Sequence, residues 1–338
     1  MKALMVFEAG RAQIVDVPEP ALGSEGAVLR PKALGLCGTD LAIFLGTNPL
    51  VTYPRIIGHE VAAEVVRVDD PSGRVKAGQR VTVLPILPCG RCVACRMGRP
   101  NCCVNNRTLG VHRDGCASEL FSVPANRVYA APREMPWEEL ALVEPMTIGY
   151  HAVKRGRVSA GDRVLIIGAG CVGLGAVQAA RLSGASVAAA DIRDLSVRLA
   201  RELGAELAVN SAREDLRRAV RDWTSADGPL VVIEAAGSTE TVEAAVELVS
   251  HAGRVVVVGY AKGAVRFPAD SFVVKELDFL GSRNSLNVLQ EVLEHVAAGR
   301  IRVKPLVTHR FDFSEGVEAL KFWVDRRQEV LKIVLTFD

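Results

Sequence analysis

Across 338 residues the charges nearly cancel: 41 Lys and Arg stand against 39 Asp and Glu, for a formal net charge of +2. That balance offers no field to nucleic acid or an anionic membrane, and no basic helix or charge block concentrates one. No secretory signal opens the chain, because Met1-Lys2-Ala3-Leu4-Met5-Val6 runs straight into a strand-like pattern. Long hydrophobic runs are missing too. The longest uncharged stretch, Val164 to Ala180, has 17 residues and carries Gly168, Gly170, Gly173 and Gly175. A glycine-rich turn in a soluble fold explains it better than a membrane span. Repeats and low-complexity tracts are absent. What remains is an ordinary globular composition, 49 % hydrophobic and 24 % charged, long enough for two domains and expected in the cytoplasm.

Cysteine is sparse, with eight in the chain, yet Cys89, Cys92, Cys95 and Cys103 fall within fifteen residues as C-x2-C-x2-C-x7-C. Disulfides would need an oxidising compartment and a denser, shorter domain. Four thiolates at this spacing suit a closed tetrahedral zinc site, which is structural because it leaves no position for substrate. Cys102 adjoins Cys103, so spacing alone leaves the fourth ligand open between them.

The middle of the chain reads as strand, G-x-G-x-x-G, helix, strand, acid. Arg163-Val164-Leu165-Ile166-Ile167 is a buried strand, Gly168-Ala169-Gly170-Cys171-Val172-Gly173 the turn, and a second strand ends at Asp191, 21 residues beyond Gly170. Gly168 allows the turn, Gly170 lets a pyrophosphate approach the backbone, and Gly173 lets helix pack on strand. The phosphates would rest at the helix N-terminus, beside Cys171 and Val172. A carboxylate at Asp191 accepts ribose hydroxyls and repels a 2′-phosphate, which favours NAD over NADP; Arg193 softens that preference unless it is only a solvated charge. Strands ending in glycine then alternate with helices as far as Leu277–Leu280, which is the pattern of a doubly wound parallel sheet over residues 150–285. Residues 1–149 read instead as strands at Lys2–Phe7, Ala12–Val17, Gly26–Ala33, Glu60–Val68, Arg80–Leu84 and Ser118–Val123, with the cysteine lobe (88–104) looped out of them. A helix is expected at Leu289–Ala298, followed by two strands.

Three segments carry a second possible metal set: Cys37-Gly38-Thr39-Asp40, Gly58-His59-Glu60 and Glu144-Pro145. A Cys, a His and a carboxylate are what a catalytic zinc with one open position requires. Taken singly, each has a plainer explanation: a buried Cys is commonly a small hydrophobe, a lone His a hydrogen-bonded core residue, and Glu before Pro a cap or turn.

In this order, these motifs, with Tyr53-Pro54-Arg55-Ile56-Ile57 and Asp114-Gly115, resemble the zinc-dependent medium-chain alcohol dehydrogenases over essentially the whole length. The resemblance is greatest to the branch holding sorbitol, threonine and sugar-acid dehydrogenases. It implies a mostly β, GroES-like catalytic domain (1–149 and 286–338) beside a Rossmann domain, with the active site in the cleft between them. It selects Cys103 as the fourth thiolate. It also implies two zinc ions per chain, the catalytic one on Cys37, His59 and Glu144, with Glu60 able to swing to the metal. The implied reaction is oxidation of a secondary alcohol, with hydride passing to NAD and Thr39 relaying the proton. Leu41, Ala42 and Ile43 occupy positions where many relatives carry a His, and Cys116 replaces a usual Gly. A His-assisted proton exit is therefore not expected, and Cys116 and Cys171 are read as packing residues. Asn48, His112 and Arg283 are the polar substrate candidates. An Arg at 283 suits a carboxylate or several hydroxyls, hence a polyol or sugar acid, although an interface or capping role fits it as well. Homodimers or homotetramers are implied, joined through the strand at Leu277–Leu280. The competing readings are a threonine or simple-alcohol dehydrogenase, a non-catalytic NAD-binding zinc protein, and a nucleic-acid module, the last opposed by the near-neutral charge.

Overall fold

A computed structural model describes residues 1–337. The chain forms two compact units: residues 1–144, 289–299 and those from Val303 onward make one, and residues 145–288 with 300–302 the other. In chain order the strands are β1 (Lys2–Glu8), β2 (Arg11–Asp16), β3 (Gly26–Leu36), β4 (Arg55–Ile56), β5 (Glu60–Val68), β6 (Arg80–Val83), β7 (Phe121–Pro124) and β8 (Val128–Ala130). They continue as β9 (Arg163–Ile167), β10 (Ser186–Asp191), β11 (Leu207–Asn210), β12 (Val231–Glu234), β13 (Arg254–Val257), β14 (Asp278–Gly281), β15 (Val307–Asp312) and β16 (Lys332–Thr336).

The first unit is built on a seven-stranded sheet in the order β15-β16-β3-β5-β6-β8, with β7 also paired to β3, and on a smaller sheet β2-β1-β4. Strand β3 is its spine. It is buried along almost all its length because β5, β7 and β16 cover it, and Leu29, Leu34 and Leu36 anchor one hydrophobic core with Leu4, Ile57 and Val61. Two antiparallel registers place the site: Gly35 lies opposite Glu60, and Leu36 opposite Ile333. The cysteine lobe has little regular structure, only the short helix Val93–Arg96 and a 3-10 turn Pro100–Cys102. Its apolar side chains Val93, Met97 and Val104 are exposed, so the lobe has no hydrophobic core of its own.

The second unit is a six-stranded, wholly parallel sheet in the order β11-β10-β9-β12-β13-β14. Its central strands are continuous apolar runs, as expected when helices cover both faces. The strand order reverses between β9 and β12, so the crevice beyond their C-terminal ends is where such a sheet binds its ligand. The Rossmann and mostly β architectures therefore both stand as expected.

Several elements differ from the sequence expectation. The strand expected over Ser118–Val123 is confined to Phe121–Pro124, and Ser118 makes only an isolated bridge to Ala3. Glu144, for which a cap or turn is the plainer sequence reading, lies in the first turn of a 13-residue helix, Val143–Arg155. Pro145 is tolerated there because first-turn amides have no intrahelical partner. Among the described residues no helix is long and apolar enough to cross a membrane.

Candidate functional site

The segment after β3 presents Cys37 at the N-cap of helix Gly38–Phe44. One carboxylate fixes this corner. Asp40, fully buried, accepts from the Cys37 amide at 2.8 Å and from the Gly58 amide at 2.9 Å, tying the Cys37 turn to the residue that precedes His59. Burial pushes the Asp40 carboxyl above its usual range. Gly115 is needed behind the turn: a Cβ on it would lie 2.5 Å from the Ile57 carbonyl oxygen and still closer to that of Gly58. Cys116 beside it is buried in the hydrophobic core, which is the packing role expected of it.

Cys37, His59 and Glu60 each bring one ligand atom within 4.8 Å of the others. Glu144, the carboxylate expected as third ligand, stays outside that 4.8 Å set, although it is buried and close enough to feel the charges of His59, Glu60 and Lys332. Burial, and after it the nearby Glu60 charge, push its carboxyl up to about 7 against the pull of His59 and Lys332. Burial opposes the His59 cation, yet Cys37, Asp40 and Glu144 overcome it and hold that imidazole well above its usual range. The Nδ1 atom of His59 is buried without a hydrogen-bond partner, and Asp40 is 3.9 Å away. A pocket of thiolate, imidazole and carboxylates with an orphaned ring nitrogen and a strong preference for positive charge fits Zn2+. Thr39 follows Cys37 by two residues, half-buried in the same helix.

Lys332 carries a contact that sequence reasoning missed. It is almost fully buried, donates to both Glu60 oxygens at 2.8 and 2.6 Å, and donates to the Leu36 carbonyl at 3.1 Å. Its only signal was a charged residue opening an apolar strand, which ordinarily reads as a solvated end.

In the lobe, Cys89, Cys92, Cys95 and Cys103 converge, and Cys102 stays outside the set. Their Sγ–Sγ separations include 3.5, 3.8 and 3.5 Å. A tetrahedral zinc with Zn–S bonds of about 2.3 Å needs edges of about 3.8 Å. Amides of Arg91 and Cys92 donate to Cys89 and bring its thiol down to about 6, while burial and neighbouring thiols push Cys95 up to about 12. A cation at the centre would be held by Cys89, Cys92, Cys95 and Cys103 and would favour all four as thiolates.

In the parallel unit, Gly168 has φ +93°, and a Cβ there would stand 2.5 Å from the Ala236 amide nitrogen. Gly170 caps helix Cys171–Leu182, whose first residues are Cys171 and Val172, and nothing lies within 4 Å of the Cβ position of Gly170. That open side is where a phosphate can approach. A Cβ on Gly173 would collide with the Gly168 carbonyl. Asp191 ends β10 and accepts from the Ala169 amide at 2.8 Å and from the Arg193 amide at 2.9 Å, with the Arg193 guanidinium 3.5 Å away.

Of the substrate candidates, Asn48 and His112 belong to the first unit and Arg283 to the second. Asn48 accepts from the Leu50 amide within its own turn, and His112 accepts from the Thr108 amide within its own. Arg283 is exposed just after β14, in the parallel unit.

Two family models match the chain: an alcohol dehydrogenase GroES-like domain over residues 23–133, and a zinc-binding dehydrogenase domain over residues 171–298. An uncharacterized zinc-type alcohol dehydrogenase-like protein of Haemophilus influenzae is 34% identical over 338 residues, which is 100% of this chain and 99% of that protein. The L-galactonate-5-dehydrogenase of Escherichia coli K12 is 36% identical over 328 residues, covering 95% of this chain and 94% of that enzyme. Among solved structures, an alcohol dehydrogenase (rspB) from E. coli CFT073, complexed with NADH, superimposes with a TM-score of 0.93 at 31% identity, covering 100% of this chain and 99% of that one.

Proposed function

Because the chain belongs to the zinc-dependent medium-chain alcohol dehydrogenases, we propose that it oxidises a secondary alcohol of a polyol or sugar acid to the ketone, with NAD as hydride acceptor. The observation that carries this reading is the convergence of Cys37, His59 and Glu60 in one buried corner of the first unit. Cys37, His59 and Glu144 would hold the catalytic zinc, with Glu60 beside them, and the cysteine quartet would hold a second, structural ion. A bound zinc supplies Lewis acidity that lowers the pKa of an alcohol oxygen. The remaining work falls to the chain. Asp40 orients the Cys37 turn and the residues leading to His59. The Thr39 hydroxyl receives the proton leaving the substrate oxygen and passes it outward. The glycine loop and helix Cys171–Leu182 seat the pyrophosphate, and Asp191 takes the ribose hydroxyls.

Support for a sugar-acid substrate comes from the L-galactonate dehydrogenase similarity over nearly the full length and from Arg283, whose fork suits a carboxylate. We further infer that the protein self-associates through the open edge of the parallel sheet. The deciding experiment is NAD reduction against aldonates, hexitols, threonine and short alcohols, with zinc counted per chain. Two ions and turnover of an aldonate or hexitol are expected. One ion per chain, or turnover confined to threonine or short alcohols, would overturn the reading. Cys37→Ser should abolish turnover and remove one zinc while the fold persists.

A further inference from the structure

The parallel sheet holds a buried carboxylate outside the metal and ribose sites. Glu234 ends β12 and is fully buried. Its Oε1 accepts from the Ala236 amide at 2.9 Å, the Gly237 amide at 2.7 Å and the Thr241 hydroxyl at 2.8 Å. Three donors on one oxygen suit the ionised, acceptor-only form of the group. All three donors are neutral, so none of them cancels its charge. The second oxygen, Oε2, is buried with no hydrogen-bond partner among the described residues. Burying a charge among neutral partners, with one oxygen orphaned, is costly. The cage itself does not require that charge, because it needs only an acceptor at Oε1, which the amide of a glutamine would also supply.

The location gives the charge a use. Residues 235–237 run between two glycines: a Cβ on Gly168 would stand 2.5 Å from the Ala236 amide nitrogen, and one on Gly259 would stand 2.5 Å from Gly237 Cα and 2.8 Å from Glu234 Oε2. The Glu234 carbonyl accepts from the Val258 amide at 2.8 Å. The turns after β9, β12 and β13 therefore pack backbone to backbone around this one carboxylate, beside the point where the strand order reverses. A dinucleotide crosses such a crevice. With the pyrophosphate at the glycine turn after β9 and the adenosine ribose at Asp191 on β10, the nicotinamide half would extend to the other side of β9, toward β12. That ring is cationic in NAD+ and becomes neutral when it takes up hydride.

We propose that Glu234 tunes the cofactor's oxidation state: its uncompensated negative charge favours the cationic ring of NAD+ over the neutral ring of NADH. Away from water such a charge acts over several ångströms without direct contact. The inference rests on the dinucleotide reading above and adds what sets the preference between the two forms.

The test is equilibrium binding to the full-length, zinc-loaded protein, by calorimetry for NAD+ and by fluorescence for NADH. Glu234→Gln removes the charge and keeps the shape and the acceptor. It should weaken NAD+ relative to NADH at least roughly tenfold. Thr241→Val removes one donor and leaves the charge, so the ratio of the two affinities should stay at the wild-type value even if both fall. A comparison on the wild type decides the question if Glu234→Gln fails to fold. NAD+ should bind at least roughly tenfold more tightly than benzamide adenine dinucleotide, whose ring has the same outline and no charge. An unchanged ratio in Glu234→Gln, an equal shift in Thr241→Val, or equal wild-type affinities for NAD+ and the uncharged analogue would each overturn the proposal. A wild-type protein that binds neither NAD+ nor NADH would instead overturn the dinucleotide reading itself, which separates the two failures.

Discussion

At the scale of single residues, the sharpest expectation concerns Asp191. Its two oxygens already take the amides of Ala169 and Arg193, which locks the carboxylate at the mouth of the glycine loop in one orientation. A carboxylate so held keeps lone pairs for ribose hydroxyls and repels a 2′-phosphate. Asp191→Ala should therefore lower kcat/KM for NAD relative to NADP by at least about tenfold, or ~1.4 kcal/mol, since hydrogen bonds to charged groups lie in that range. Steady-state kinetics with both cofactors measure the ratio, and an unchanged ratio would mean that Asp191 does not read the ribose. The position of Asp191 at the end of β10 was legible because the pattern is local: strand, glycine turn, helix and acid lie within a few dozen residues. Lys332 was not legible for the opposite reason. Its partner Glu60 lies 272 residues away, and only the β16-β3-β5 pairing brings them together. Gly35 was equally silent, because the collision it avoids is with a residue on another strand.

At the scale of elements, the cysteine lobe and the helix carrying Glu144 teach opposite lessons. The lobe's metal site was readable from spacing, because metal ligands must sit close together in a segment too short to fold otherwise, but the choice of Cys103 over Cys102 needed the family resemblance. The lobe's exposed Val93, Met97 and Val104 leave the ion as the main source of order. Cys92→Ser should lose one zinc, keep the Cys37 site loaded and lower Tm by at least about 3 °C, equivalent to ~2 kcal/mol in a chain of 338 residues. Atomic absorption with calorimetry checks both halves, and an unchanged Tm would remove the structural role. Helix Val143–Arg155 was not expected from the sequence, and it contains both Pro145 and Gly149. Pro145 is harmless in the first turn, and Gly149 packs so closely on helix Cys171–Leu182 that a Cβ would collide with Val172 O and Ala176 N. A residue that weakens the helix locally is required by the packing, and single-sequence periodicity cannot register that trade. The consequence for the site is direct, since Glu144 is carried by a helical turn that restricts its direction.

For the whole molecule, the parallel sheet poses a question that one chain leaves unanswered. Strand β14 closes the sheet, pairing with β13 on one side only; on its other side the Gly281 carbonyl accepts from Arg155 at 3.3 Å, and the rest of that edge lies outside the ladder. Exposed edges of this kind invite pairing unless something covers them. Exposed apolar side chains lie near it: Phe279 on the strand is 41% exposed, and Val273 and Val274 on the adjoining helix Asp270–Lys275 are 82% and 67% exposed, beside an exposed Arg157–Asp278 ion pair. Phe279 also packs with Phe267 and Phe272, with ring centroids 5.8 and 6.2 Å away, so the edge is a stiff aromatic face and not a frayed end. A second copy related by a two-fold axis would lay β14 antiparallel to β14, continue the sheet across the pair and bury Val273 and Val274 against their counterparts. A two-fold contact uses the same patch on both partners, which an edge strand satisfies naturally. Light scattering behind size exclusion should therefore give at least twice the monomer mass for the native chain. Val273→Asp combined with Val274→Asp places two charges on each side of the contact and should weaken self-association at least about 100-fold, or ~2.7 kcal/mol. Zinc content and the far-ultraviolet spectrum should stay unchanged in the same variant, because neither valine touches a metal ligand or the core. A native chain that runs as a monomer, or a double variant that assembles as well as wild type, would show that this edge is covered in some other way.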